Sequence, residues 1–126
     1  MSTDETSHES MRAPGSTTIA PGVLITIARL TASSIPGVVG MAPVPGGVNR
    51  LFRRGAGEGV RIEVEDDIVS VDLYLELALG SNMRDVGRQV QAEVRRAIKD
   101  MVGMEVREVN VHIEDVYPEE PETPVA

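Results

Sequence analysis

The sequence has no cysteine and no tryptophan, and its 126 residues include one phenylalanine, Phe52, and two tyrosines, Tyr74 and Tyr117. Without thiols the chain can form neither disulfide bonds nor thiolate metal sites. Because aromatic rings are so few, a core has to be built from Val, Ile, Leu, Ala and Met. The 41% hydrophobic content is sufficient for one domain with a modest core.

Long apolar segments are missing as well. The first ten residues, MSTDETSHES, are acidic and polar, whereas a signal peptide begins with basic residues and continues into an apolar run. No stretch approaches the roughly 20 apolar residues that a membrane-spanning helix needs. We therefore expect a cytoplasmic protein without a transmembrane segment of its own.

Acidic residues outnumber basic ones, and the formal net charge of −8 is concentrated at the two ends of the chain. Residues 1–12 carry −2 and residues 114–126 carry −5, which leaves −1 for the rest. Residues 1–18 and the proline-rich residues 117–126 have few large apolar side chains, and we expect both to be disordered acidic tails. Because the body is nearly neutral, charge repulsion is only a weak argument against a nucleic-acid partner.

The periodicity of the apolar residues predicts two helices and several strands between the tails. Residues 21–34 begin at a proline and form a helix with one apolar stripe, made of Ile19, Val23, Ile27 and Leu30 with Leu24 and Ala28 beside them. Residues 82–101 form a longer amphipathic helix. Alternation predicts strands at residues 60–65 and 69–79 and from residue 107 onward, with a shorter one at residues 38–41. Residues 42–59, rich in Pro, Gly and Arg, are expected to form a flexible loop.

This order of elements favours a single α+β domain over residues 19–116. Asp66 and Asp67 provide turn residues between two adjacent strands, which predicts an antiparallel hairpin. The simplest arrangement is a two-layer sandwich, in which two helices cover one face of a three- or four-stranded, mainly antiparallel sheet. The opposite sheet face remains polar.

That polar face carries candidate functional residues. Ser70, His112 and either Asp72 or Glu76 would form a Ser, His and acid set if the last strand lies beside the hairpin. A flat sheet face, however, neither excludes water nor forms an oxyanion site, so these residues indicate a solvated or partner-binding surface and no enzyme. The candidate partner-binding residues on this face are Arg61, Asp72, Tyr74, Glu76, Asn110 and His112.

A second candidate surface lies in the loop, where Arg50, Arg53 and Arg54 form a basic patch together with Arg61. The patch suits phosphates, anionic lipid head groups or the acidic tail of another copy. A solvated loop without a partner explains it equally well. Nearby, the segment GVVG at residues 37–40 has the Gly-x-x-Gly spacing of the KH nucleic-acid clamp, although valines stand where that clamp has basic residues. A KH-like nucleic-acid-binding module is therefore an alternative function.

No metal or cofactor site is predicted. His8 and His112 are the only histidines, and the adjacent carboxylates Glu65, Asp66 and Asp67 lack the spacing of a calcium loop. The segment GAGEG at residues 55–59 is similar to a phosphate-binding loop, but the P-loop lysine and the strand-to-helix context are missing. A turn and a linker explain these motifs better.

The last predicted strand carries a motif that resembles a known family. GMEVREVNVHIEDV at residues 103–116 is similar to the signature that ends the folded domain of the alkaline shock protein 23 family, the envelope stress response proteins of Gram-positive bacteria. PGVL, IPGVVG and GVRIEVEDDIVSVDLYLELALG agree in the same order, so the resemblance covers residues 20–116. The sequence departs from the family at Leu79 and Gly80, where many members have Tyr-Gly, and in the loop at residues 42–57.

The resemblance implies a small cytoplasmic protein of the alkaline or general envelope stress response, without known catalysis or cofactor. Some members of the family are held at the membrane by small integral-membrane partners and self-associate there. We therefore expect a non-enzymatic scaffold that forms homo-oligomers and lies peripheral to the membrane through such an anchor protein. The family has no established active site, so no functional residue can be transferred from it.

Overall fold

A computed structural model of the chain describes residues 15–46 and 56–118. Within these ranges the elements are α1 (Pro21–Ser33), β1 (Val38–Met41), β2 (Ala56–Gly57), β3 (Val60–Glu65), β4 (Ile68–Ala78), α2 (Met83–Val102) and β5 (Glu105–Tyr117). Neither of these two helices is long and apolar enough to cross a membrane. Arg50, Arg53, Arg54 and most of both predicted tails lie outside the described residues.

β4 is the strand around which the sheet is assembled. Its 11 residues pair with β5 along their whole length in parallel orientation. Two antiparallel strands share the other edge of β4, with β3 next to residues 68–73 and β1 next to residues 75–77, and β2 adds two residues outside β3. The expected α+β class is confirmed, and three of the four strand pairings are antiparallel. The fourth is parallel because α2 carries the chain back to the start of β4.

Local sequence signals set the hairpin turn and the ends of α2. Asp66 and Asp67 adopt positive φ angles of 55° and 63°, as a type I′ hairpin turn requires. Asn82 caps α2 by accepting a hydrogen bond from the Asp85 amide at 3.0 Å. Gly103 ends the helix in the left-handed conformation. The predicted turn and both predicted helix ends are confirmed.

The core lies between β4 and the two helices. The five alternate β4 residues that face the helices are fully buried, namely Val69, Val71, Leu73, Leu75 and Leu77. α2 contributes four buried residues at i, i+4 spacing, which are Val86, Val90, Val94 and Ile98. No buried residue in the described ranges is charged. Hydrophobic burial is therefore the main force that holds the two layers together.

The side of α1 that packs on the core differs from the side predicted by the spacing of its large apolar residues. The buried residues are Leu24, Ala28 and Ala32, whereas Val23 and Leu30 are 44% and 57% exposed. Because the two alanines have no side chain beyond Cβ, α1 can approach the sheet closely while the large β4 side chains fill the space. The helix was predicted correctly, but the centre of its buried stripe was not.

β5 contains two bulges. The pairing with β4 skips Arg107 and Glu114, which are extra residues in β5. The first bulge lets Val106 and Val109 both face the core although they are three positions apart. Strict alternation breaks at such a point, and it predicted a strand that begins at residue 107. The strand instead begins at Glu105 and extends to residue 117, which was predicted to belong to the tail.

Candidate functional site

The outer sheet face, which points away from the helices, carries polar residues from three strands. The register aligns Arg61 of β3, Asp72 of β4 and Asn110 of β5 in one row. His112 lies beside Tyr74 in the next row, and Glu76 follows on β4. Successive residues of a strand point to opposite faces, so the predicted site residues in the described ranges all lie on this one surface.

Asp72 is the centre of the hydrogen bonds on this face. Its Oδ1 accepts from Asn110 Nδ2 at 3.2 Å and from His112 Nε2 at 3.1 Å. Its Oδ2 lies 3.7 Å from Arg61 Nη2. Because an ionised carboxylate can only accept, His112 must carry its donor proton on Nε2. We call Arg61, Asp72, Tyr74, Asn110 and His112 the Asp72 cluster.

Tyr74 forms the floor of the Asp72 cluster. Its ring stacks on the ring of His112 with centroids 4.6 Å apart and an interplanar angle of 13°. Its hydroxyl accepts a hydrogen bond from Arg61 Nη2 at 3.3 Å. The residue is only 6% exposed. Tyr74 therefore orients the imidazole and the guanidinium and presents little surface of its own to a partner.

Carboxylates surround the Asp72 cluster. Glu63, Glu76, Glu108 and Asp115 occupy outer-face positions of the register, and we call them the acidic rim. The negative charge of Asp115, followed by that of Glu76, raises the pKa of the Tyr117 phenol above its ordinary value. The bulge at residue 114 brings Asp115 onto this face, where strict alternation of residues would place Glu114 instead. The outer sheet face is consequently acidic.

The geometry does not assemble the Ser, His and acid set of a hydrolase. His112 reaches Asp72, as the sequence suggested, but Ser70 lies four residues before Tyr74 on β4, a distance of roughly 13 Å along the strand. No hydrogen bond joins Ser70 to His112, both of which are described. A nucleophile and its base must lie within hydrogen-bond reach of each other. These three residues therefore do not form a nucleophilic site.

The glycine motifs are part of the sheet and its turns. Val38 to Met41 form β1, which is paired with β4, so the Gly-x-x-Gly segment is not a free loop of the KH type. Ala56 and Gly57 form β2, and a turn at Glu58 and Gly59 leads directly into strand β3. A phosphate-binding loop leads into a helix instead. Neither motif has the geometry of the site that its spacing suggested.

Of the residues that the structure describes, no group of three or more His, Cys, Asp or Glu is placed to hold a metal ion.

Comparison with known proteins gives a family match over most of the chain. The model of the alkaline shock protein 23 family, described as having a cell envelope-related function, matches residues 9–118. A protein of Bacillus subtilis (strain 168) named "Uncharacterized protein YqhY" is 32% identical over 101 residues, which cover 79% of this chain and 75% of that protein. "Uncharacterized protein YloU" of the same strain is 26% identical over 106 residues, covering 81% of this chain and 88% of that protein.

Solved structures show a more distant likeness. The structure named "MamM-CTD H285A" is 12% identical, with a TM-score of 0.46 over 75% of this chain and 95% of that chain. The structure named "MamM CTD - Copper form" is 13% identical, with a TM-score of 0.48 over 82% of this chain and 91% of that chain.

Proposed function

The chain is a member of the alkaline shock protein 23 family, whose function is cell envelope-related, and from this premise we propose that it is a non-enzymatic scaffold of the envelope stress response. In this proposal the protein is cytoplasmic, associates with copies of itself and is held near the membrane by a small integral-membrane protein. The outer sheet face is the surface that binds this anchor.

The observation that carries the proposal is the Asp72 cluster on an open sheet face. Side-chain hydrogen bonds and ring stacking already fix Arg61, Asp72 and His112 in the free protein. Groups that are ordered before binding lose less conformational entropy when a partner docks. Arg is also enriched among the residues that dominate protein interfaces. An ordered polar cluster on a flat surface therefore suits a protein partner better than a small substrate.

The acidic rim indicates the chemistry of this partner. Cytoplasmic segments next to membrane-spanning helices are rich in Lys and Arg. Such a segment complements Glu63, Glu76, Glu108 and Asp115, whereas anionic lipid head groups would be repelled by them. A basic cytoplasmic segment of a small membrane protein is thus the best match for the outer sheet face.

A nucleic-acid-binding function is less well supported. Polyanions are repelled by the same acidic rim. The Gly-x-x-Gly segment lies in β1, and the three loop arginines are outside the described residues. Within residues 15–46 and 56–118 no observation favours this alternative.

The proposal can be tested by crosslinking in the native cell with the position of the tagged chain read in the same sample. We expect a membrane-proximal location and capture of a small membrane protein with a basic cytoplasmic segment. Glu76→Lys combined with Glu108→Lys should abolish both, because the net charge of the four rim residues then changes from −4 to zero. Asp85→Lys combined with Asp100→Lys makes the same change of charge on α2 and should leave both intact.

Two results would contradict this function. Uniform distribution through the cytoplasm without capture of a membrane protein would rule out a membrane anchor protein. Capture of RNA or ribosomal proteins would instead support the nucleic-acid alternative, provided that replacing Arg50, Arg53 and Arg54 by alanine prevents it and that binding falls steeply with salt.

A further inference from the structure

α1 has a second stripe, uncharged and partly apolar, on the side that faces away from the core. The exposed positions are Ile19 just before the helix and then Val23, Thr26, Leu30 and Ser33, which we call the α1 outer stripe. They follow one another at alternating steps of four and three residues, the spacing of a helix-packing seam. The buried residues Leu24, Ala28 and Ala32 lie on the opposite side. Three large apolar side chains, Ile19, Val23 and Leu30, therefore stay exposed on one line along the helix.

The α1 outer stripe also lacks charge. The only charged residue of α1 is Arg29, and its Nε is paired with Glu58 Oε1 at 3.0 Å. The solvent side of α2, in contrast, carries eight charged residues, which are Arg84, Asp85, Arg88, Glu93, Arg95, Arg96, Lys99 and Asp100. Uncharged positions with exposed Val and Leu are typical of the central part of an interface and not of a solvated helix.

The charges of the other surfaces indicate which partner covers this stripe. In a two-fold symmetric dimer each surface patch meets its own copy, so a patch with one sign of charge repels itself. The outer sheet face is acidic and α2 is highly charged. The charges of α2 have both signs, five basic and three acidic, and an interface there would have to remove them from water. Among the described faces of the sandwich, the α1 outer stripe is the one that meets a copy of itself without repulsion between like charges and without burial of charged side chains.

The pattern of the stripe suits an antiparallel pair of helices. It is symmetric about Thr26, with Val23 and Leu30 at similar distances on either side. In an antiparallel pair Val23 of one copy therefore packs on Leu30 of the other, and the two Thr26 residues meet at the axis. Antiparallel pairing also brings the positive end of each helix dipole near the negative end of the other.

We propose that two copies of this chain form an antiparallel dimer through their α1 outer stripes. This inference rests on the self-association in the proposed function and adds the surface that performs it. A helix of 13 residues is only about 20 Å long, so the interface is at the small end of the usual range and the dimer is concentration-dependent. The helices lie on one face of each sheet, so both outer sheet faces stay free. The dimer can then bind two anchor proteins at once.

The first test is the oligomeric state of the full chain, measured by sedimentation over a range of concentrations. We expect the native chain to pass from monomer to dimer and Leu30→Glu to remain monomeric, because the substitution places two carboxylates in the apolar seam. Val39→Glu is the matched control: Val39 of β1 is 55% exposed, as Leu30 is 57% exposed, but it lies outside α1. This control should dimerise like the native chain. Far-UV circular dichroism verifies that both variants are folded.

The second test uses the absence of natural cysteine. We expect Thr26→Cys to form a disulfide-linked dimer under mild oxidation and Glu63→Cys, on the outer sheet face, to form none. A mixture of Val23→Cys and Leu30→Cys chains should give the mixed dimer, whereas a parallel pair would give each variant linked to itself.

The outcomes separate this inference from the proposed function. If the native chain self-associates but Leu30→Glu does so equally well, or if Thr26→Cys does not crosslink, the α1 dimer is wrong and another surface performs the self-association. A native chain that stays monomeric at high micromolar concentration contradicts self-association itself. If that monomer binds lipid vesicles and Leu30→Glu abolishes the binding, the stripe is a membrane surface and the dimer is overturned.

Discussion

Gly59 lies where the end of β1 and the start of β3 both meet the backbone of Tyr74 on β4. Its carbonyl accepts from the Tyr74 amide at 2.8 Å, while the Tyr74 carbonyl accepts from the Ala42 amide at 2.8 Å. Gly59 itself has a φ of 80°, and a Cβ atom there would lie 2.7 Å from both the Ala42 carbonyl oxygen and Met41 Cβ. Only glycine fits between the end of β1 and the start of β3.

Replacing Gly59 should therefore destabilise the fold more than replacing a glycine that has only an unfavourable φ angle. We expect Gly59→Ala to lower the free energy of unfolding by about 3 kcal/mol, because unfavourable φ adds to a backbone clash. Gly80→Ala is the control, since Gly80 has a φ of 103° but nothing within 4 Å of the added Cβ. Gly80→Ala should lower the free energy of unfolding by about 1 kcal/mol. Urea unfolding measures both, and equal losses would show that the clash is relieved by movement of β1.

The residues of the Asp72 cluster could be proposed from the sequence only in part. The alternation placed Asp72, Tyr74, Asn110 and His112 on one face, and it offered either Asp72 or Glu76 as the acid near His112. The parallel register of β5 selects Asp72. The burial of Tyr74 had no sequence signal, because it depends on a ring and a guanidinium from two other strands.

At the scale of single elements, β5 is an edge strand whose second edge is partly covered by α2. No other described strand pairs with this edge. Gln91 Nε2 donates to the Val109 carbonyl at 2.9 Å, and Arg95 Nη1 donates to the Val106 carbonyl at 2.7 Å. Unpaired strand edges invite association with other chains. Two side chains one helical turn apart thus protect the first half of β5.

Arg95 and its neighbour Arg96 allow a direct test of this protection. Arg95→Ala should lower the free energy of unfolding by about 1.5 kcal/mol, because it removes a charged hydrogen bond to a backbone carbonyl. Arg96 is exposed, and among the described residues its one partner is Glu93 of the same helix, at 3.3 Å. Its replacement by alanine should change stability by less than about 0.5 kcal/mol. If both variants unfold at the same urea concentration, the Arg95 contact does not stabilise β5.

At the scale of the whole molecule, both helices and the sheet share one core. Leu24 of α1 is 1% exposed and belongs to the same cluster of buried residues as the β4 and α2 side chains. α1 has no side-chain cap at its N-terminus and contains several β-branched residues, so its own helix propensity is weak. It must therefore be held in place by packing, and it should unfold together with the sheet.

Two leucines of α1 test this expectation. Leu24→Ala should lower the free energy of unfolding by about 3 kcal/mol, because it opens a cavity in the shared core. Leu30→Ala on the exposed side should cost less than about 0.5 kcal/mol in dilute protein that is monomeric. Circular dichroism of the helices and tyrosine fluorescence of the sheet should give one coincident urea transition. Separate transitions would mean that α1 does not share the cooperative unit.

The sequence by itself determined the features that depend on neighbouring residues. These are the order of the elements, the inward face of β4, the Asp66–Asp67 turn and both ends of α2, all of which follow from spacing and backbone chemistry within a few positions. The tertiary structure alone decided the buried side of α1, the bulges of β5, the floor made by Tyr74 and the junction at Gly59. Each of these results from packing volume or strand pairing between distant segments. These packing and pairing interactions produce no periodic pattern in the sequence, because the residues that make them lie far apart along the chain.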